Sequence, residues 1–171
     1  MEVPMPDMAR RLLKSDNINT EHILSTRYKF RVDDPGDLTE YLFADIEDGF
    51  KDKFSTGDFL VAGENFGCGS SRELPVAVLR SAGFRAVVAK SFSRIFYRNA
   101  FNLGLFPVQC ETNYIDDMDE LELDLDGNVL RNLTKGFTLE IQPIPSIMRR
   151  FMESGGAVEY FKEHNGLDDS R

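Results

Sequence analysis

A glycine-rich turn between a strand-like run and a helix-like run constrains this chain more than any other feature. Residues 59–62, Phe-Leu-Val-Ala, are apolar and read as a buried strand. Residues 63–73 follow as Gly-Glu-Asn-Phe-Gly-Cys-Gly-Ser-Ser-Arg-Glu, with three glycines and two adjacent serines. Residues 74–82 then have helical composition and spacing, and Gly83 stops them. Pro75 falls in the first turn, where a missing N–H costs little. Residues 84–89 read as a second buried strand. Strand, helix and strand in this order make the β-α-β unit of a parallel layer. The expected fold class is therefore α/β. The junction of a strand end with a helix start is where such folds place ligands.

The flanks extend this plan. Residues 8–14 read as an edge strand, and residues 15–23 as a polar loop anchored by Ile18 and Ile23. Residues 38–43 open a short helix capped by Asp37. A second helix is expected over 91–102, with Ser91 or Ser93 near its cap, and Gly104 ends it. Residues 105–109 form a strand that Pro107 assigns to an edge or a bulge. From Glu111 the character changes. Residues 112–120 are acidic and loop-like. Residues 121–125 and 137–141 alternate with period two, with a hairpin turn at Asp126-Gly127-Asn128. The prediction is a small antiparallel appendage on a parallel core. Helices at 146–153 and 157–161 flank Gly155-Gly156, and residues 164–171 form a frayed tail. A length of 171 residues predicts one domain over 1–171.

Composition excludes several classes. A net charge of -9, without a Lys/Arg block, argues against nucleic acid. No run of apolar residues is long enough for a membrane span, and residues 1–6 do not resemble a signal peptide. Two cysteines, Cys68 and Cys110, give no disulfide framework and too few ligands for a zinc or iron–sulfur site. A reducing cytoplasm is the expected location.

At the central turn two readings compete. Ser70 and Ser71 sit where the helix is expected to begin, and free backbone N–H groups there favour an anion. Arg72 adds a planar fork suited to a carboxylate. A serine hydroxyl beside these can act as a base or nucleophile. Equally, Ser70-Ser71-Arg72-Glu73 is a capping box, with Ser70 as the cap and Glu73 as its reciprocal partner. His22 and His164 are the only histidines, and neither accompanies a nucleophile elbow, which counts against a lone serine hydrolase. His22 is expected to have an ordinary surface or site-lining role. The turn also lacks the Gly-Lys-Ser/Thr ending of a phosphate-binding loop.

Residues 65–73 resemble the signature of the swivel domain of the aconitase superfamily. The likeness continues in order through residues 16–21, 89–100, 102–105 and the Gly155-Gly156 pair, and is most similar to the free-standing small subunits of 3-isopropylmalate dehydratase and its relatives. The resemblance implies a swivelling β/β/α-type domain and a two-subunit hydro-lyase. It implies a large partner subunit, in a heterodimer or heterotetramer, that carries a [4Fe-4S] cluster, with none bound by this chain alone. It implies that Ser70 is the catalytic base and that Arg72 and Ser71 bind a small anionic 2-hydroxy diacid. Thr20 and Glu21 fall on its site-loop positions, although the family more often has Asp at the position of Glu21. Specificity is implied in the loop of Arg27, Lys29, Phe30 and Arg31, which departs from the isopropylmalate-type pattern. Isopropylmalate is the leading substrate. Homoaconitate, citraconate/methylmalate and dimethylmalate remain as alternatives, as does a non-catalytic anion-binding domain.

Overall fold

The computed structural model describes residues 7–12, 15–29 and 34–164. Four short strands form a parallel sheet in the order β1 (Ala9–Arg11), β2 (Phe59–Val61), β3 (Ala86–Ala89) and β4 (Phe106–Gln109). β2 and β3 are buried along their whole length, as near-continuous apolar runs require. Pro107 lies on β4, an edge strand, where its missing N–H breaks no inner ladder.

The alternation of side chains across this sheet divides the core. Leu60, Val87 and Ala89 face one side. There they pack with Val76, Val78 and Leu79 of α2 (Leu74–Ser81) and Phe96 and Ala100 of α3 (Arg94–Asn102). Phe59, Val61, Ala86 and Val88 face the other side, against Leu121, Leu130 and Ile141. Leu121 and Leu130 belong to an antiparallel sheet of β5 (Leu121–Asp124), β6 (Val129–Asn132) and β7 (Phe137–Glu140), and Ile141 follows it. The layers are thus helices, parallel sheet and antiparallel sheet, which is the β/β/α arrangement.

β1 is tied on both edges. Ala9, Arg10 and Arg11 pair with Phe59, Leu60 and Val61. Buried Asp58 accepts from Met8 N at 3.1 Å and from Arg10 Nε at 2.6 Å. On the outer edge, Ala9 N donates to the Asp119 carbonyl and Met118 N to the Ala9 carbonyl, each at 2.8 Å.

Local details differ from the sequence reading. Residues 35–41 form a 3-10 helix, Pro35–Tyr41, capped by Asp34 rather than Asp37, because Pro35 supplies the first helical position. α3 begins at Arg94, with Ser93 Oγ accepting from Phe96 N at 3.3 Å, so residues 91–93 stay extended. The C-terminal helices are α4 (Ser146–Glu153) and α5 (Ala157–His164), with Gly155 and Gly156 between them. A Cβ on Gly104 would lie 2.6 Å from the Gly155 carbonyl oxygen and one on Gly156 2.7 Å from the Asn102 carbonyl oxygen, so Gly104 and Gly156 serve one close crossing. Of the predicted frayed tail, His164 ends α5 and residues 165–171 lie outside the described residues.

Candidate active site

Three segments meet beyond the carboxyl ends of β2 and β3. The polar loop at 15–20 bonds to the turn at 63–69: Asn17 N donates to the Glu64 carbonyl, Gly67 N to the Ile18 carbonyl and Thr20 N to the Cys68 carbonyl, at 2.7–2.9 Å. The turn then pairs with the entry to α3. Phe66 N donates to the Ser91 carbonyl and Ser93 N to the Phe66 carbonyl, each at 2.9 Å. Gly67 has φ +76, and a Cβ there would fall 2.2 Å from the Phe96 ring. Only glycine fits this approach.

The capping box expected at the turn does not form. α2 starts at Leu74, and Glu73 stands at its cap without a side-chain bond. Pro75 falls in the first turn of the helix, where its missing N–H breaks no helical bond, and the serines stand outside it. Ser70 and Arg72 therefore project from a turn, free to meet the 15–29 loop. Ser70 Oγ lies 3.1 Å from Thr20 Oγ1. The reciprocal cap of this region is elsewhere. Asn19 Oδ1 accepts from His22 N at 2.7 Å and Asn19 N donates to His22 Nδ1 at 3.2 Å, which fixes α1 (Thr20–Ile23). His22 thus has a positioning role that sequence reasoning missed. Its signal was the Asn-x-x-His spacing, a variant of the Ser/Thr-x-x-Glu box.

Glu21 gathers the neighbouring donors. Its carboxylate accepts from Thr26 N at 2.6 Å, Thr26 Oγ1 at 2.7 Å, Arg72 Nη1 at 2.9 Å and Ser25 Oγ at 3.1 Å. The Thr26 backbone N–H, then its hydroxyl, then Arg72 and Ser25 hold the Glu21 carboxyl down to about 2 from 4.5. Arg72 Nη1 also bonds Thr26 Oγ1. The Arg72 side chain is 37% exposed, and its Nε and Nη2 have no partner among the described residues. The Ser70 and Ser71 backbone N–H groups likewise carry no partner among the described residues.

Arg72 borders a cavity of ≈ 300 Å³ with Leu24, Ser25, Thr26, Lys29, Leu74 and Pro75 along its walls. Apolar walls with one or two cations at the rim suit a branched diacid. Of the predicted site residues, the fold brings together Thr20, Glu21, Ser70 and Arg72, with Ser71 adjoining and Lys29 on the cavity wall. Arg27 is not on that wall: its guanidinium pairs with Asp45 and stacks 4.7 Å from the Tyr28 ring centroid. Phe30 and Arg31 lie outside the described residues.

The chain's thiols do not make a cluster site. Cys68 is half-buried in the turn, while Cys110 is buried against the antiparallel sheet, where burial pushes its thiol up to about 12. Among the described residues no three His, Cys, Asp or Glu side chains gather to hold a metal ion.

A model of the aconitase C-terminal domain matches residues 6–113. The 3-isopropylmalate dehydratase small subunit 2 of Archaeoglobus fulgidus is 45% identical over 152 residues, covering 89% of this chain and 92% of that one. The chain belongs to the 3-isopropylmalate dehydratase small-subunit family. The small subunit from Caldicellulosiruptor bescii is 44% identical, over 86% of this chain and 89% of its own. A crystal structure of 3-isopropylmalate dehydratase from Methanocaldococcus jannaschii superposes with a TM-score of 0.87 at 40% identity, covering 93% of each chain. The architecture is that of an aconitase-family swivel domain, with a parallel β-α-β core and an antiparallel appendage. The domain match includes the parallel sheet and every described residue of the site. The antiparallel sheet lies beyond it. Among the described residues no helix is long and apolar enough to cross a membrane.

Proposed function

We propose that this chain is the small subunit of a cytoplasmic, two-subunit aconitase-type hydro-lyase, and that its substrate pair is 2- and 3-isopropylmalate. The observation that carries the reading is the contact of Ser70 with Thr20 next to the Glu21–Arg72 pair, with Arg72 bordering an apolar-walled cavity. The names of the similar small subunits support the substrate.

Ser70 Oγ, as its alkoxide, takes the proton from the carbon beside the one that loses its hydroxyl, leaving a C=C bond, and on rehydration returns a proton to the carbon that had carried the hydroxyl, with Thr20 Oγ1 holding Oγ in line. The open Nε and Nη2 edge of Arg72 clamps one substrate carboxylate. The Ser70 and Ser71 N–H groups stabilise charge as the proton leaves. Glu21 holds Arg72 and Thr26 in register, and Lys29 meets the second carboxylate at the rim. Leu24, Leu74 and Pro75 receive the alkyl branch. A [4Fe-4S] cluster carried by the large partner would supply Lewis-acid chemistry at the substrate hydroxyl.

The test mixes this chain with its cognate large subunit and measures dehydration of a panel of 2-hydroxy diacids. Isopropylmalate turnover that requires both chains supports the proposal. Preference for homoaconitate, methylmalate or dimethylmalate would keep the reaction and replace the substrate. Anion binding by the isolated chain, with no turnover in the mixture, would overturn the enzyme reading.

A further inference from the structure

A second groove, of ≈ 280 Å³, opens beside the site between α3, β4 and α4. Phe92, Tyr97 and Met148 give it apolar walls, Gln109 adds an amide, and Arg94 and Arg98 stand on it one helical turn apart. Both arginines are exposed. Most cations among the described residues are engaged with carboxylates, as in Arg10 with Asp58, Arg85 with Asp7 and Arg149 with Asp126. Arg94 and Arg98 have no hydrogen-bond or ion-pair partner among the described residues, despite a net charge of -9. Ile95, between them on the helix, is 48% exposed. An apolar floor, two unpaired guanidinium groups and an exposed aliphatic side chain have the chemistry of an interface with an acidic partner surface.

The groove is also rigidly joined to the reacting end of the molecule. Ser93, the residue before Arg94, donates from Oγ to the Gly67 carbonyl at 2.7 Å, three residues before Ser70. Phe92 meets Phe66 with ring centroids 6.1 Å apart. A partner seated here is held in a fixed relation to the Ser70 turn, as a subunit completing that site must be.

We infer that the Arg94–Arg98 groove docks a segment of the large subunit that presents carboxylates beside an apolar anchor. The inference rests on the two-subunit reading above. The pair supplies attraction over distance and register on contact, so it affects both encounter and its salt dependence.

The experiment titrates this chain with its cognate large subunit by isothermal calorimetry at two salt concentrations. The comparison includes the double variant Arg94→Glu/Arg98→Glu, the milder Arg94→Gln/Arg98→Gln, and Arg80→Glu at an exposed site on α2 outside the groove. Circular dichroism confirms that each variant is folded. The charge reversal is expected to weaken association about tenfold or more at low salt, with a smaller loss for the glutamine pair, a shallower salt dependence for both and little change for Arg80→Glu. Wild-type affinity in the reversed variant would overturn the inference and leave the two-subunit reading standing. Absence of any association by the wild-type chain would overturn both. Sedimentation showing that the groove instead joins two copies of this chain, lost on charge reversal, would also overturn it.

Discussion

Ser70 Oγ and Thr20 Oγ1, 50 positions apart in sequence, lie 3.1 Å apart across the mouth of the site. The contact joins the glycine-rich turn to the loop before it, so the hydroxyl proposed as base has a partner that orients it. Ser70→Ala is expected to lower turnover roughly 10²–10⁴-fold. Ser70 is exposed, so the melting temperature and the association with the large subunit should not change. Unchanged turnover would remove Ser70 from the role of base. Thr20→Val should cost about tenfold in kcat with a smaller change in KM, because only the orientation of the hydroxyl is lost.

Arg72 answers to a different measurement. Arg72→Lys keeps the charge and loses the planar fork, so KM for the diacid should rise by more than tenfold while association persists. An unaltered KM would place the carboxylate elsewhere.

The Glu21 carboxyl gives the site a pH signature. Its folded value is lowered to about 2 from 4.5, so its contribution is complete above pH 4.5 and lost as pH falls toward about 2. The side chain is 44% exposed, and water screening limits that contribution to about 1 kcal/mol. Chemical denaturation of wild type and Glu21→Gln across this range should show a gap at pH 5 that closes in acid. Parallel curves would separate the carboxylate from stability.

Gly67→Ala tests the close approach of α3. A Cβ would strike the Phe96 ring and the backbone would keep an unfavourable positive φ. The expected loss is about 3 kcal/mol, read from the urea midpoint. A shift below about 1 kcal/mol would mean that the helix can withdraw.

Asp58→Ala strips three donors at once: Met8 N, Arg10 Nε and Ser55 N. Arg10 is largely buried, so its guanidinium would be left without its counter-ion. Loss of about 3 kcal/mol is expected, with early hydrogen exchange in β1 as the local sign.

The parts legible in sequence were those fixed by local pattern. β2, α2, β3 and α3 follow from buried apolar runs and the stops at Gly83 and Gly104. The β5–β6 hairpin follows from period-two alternation around Asp126-Gly127-Asn128, and β7 from the alternation over residues 137–141. The small-subunit resemblance named the residues that the fold then brought together. What local pattern misjudged was Ser70. A helix cap and a side chain free to contact Thr20 need the same four residues, and the choice depends on a loop 50 positions away. The engagement of Glu21 with Arg72 is hidden for the same reason, because the two lie 51 positions apart. Arg27 was placed at the substrate by the loop resemblance, and in the fold its guanidinium meets Asp45 and the Tyr28 ring.

The anchoring of β1 also has a consequence for how the chain folds. Its inner edge waits for Phe59, and its outer edge is closed through Arg11 N and Asp117 Oδ1, 106 positions apart. During synthesis the pairing of this strand is completed only once residues 117–119 have emerged. Such long-range closure slows folding, so β1 docks late and its outer edge stays unpaired until that segment is made.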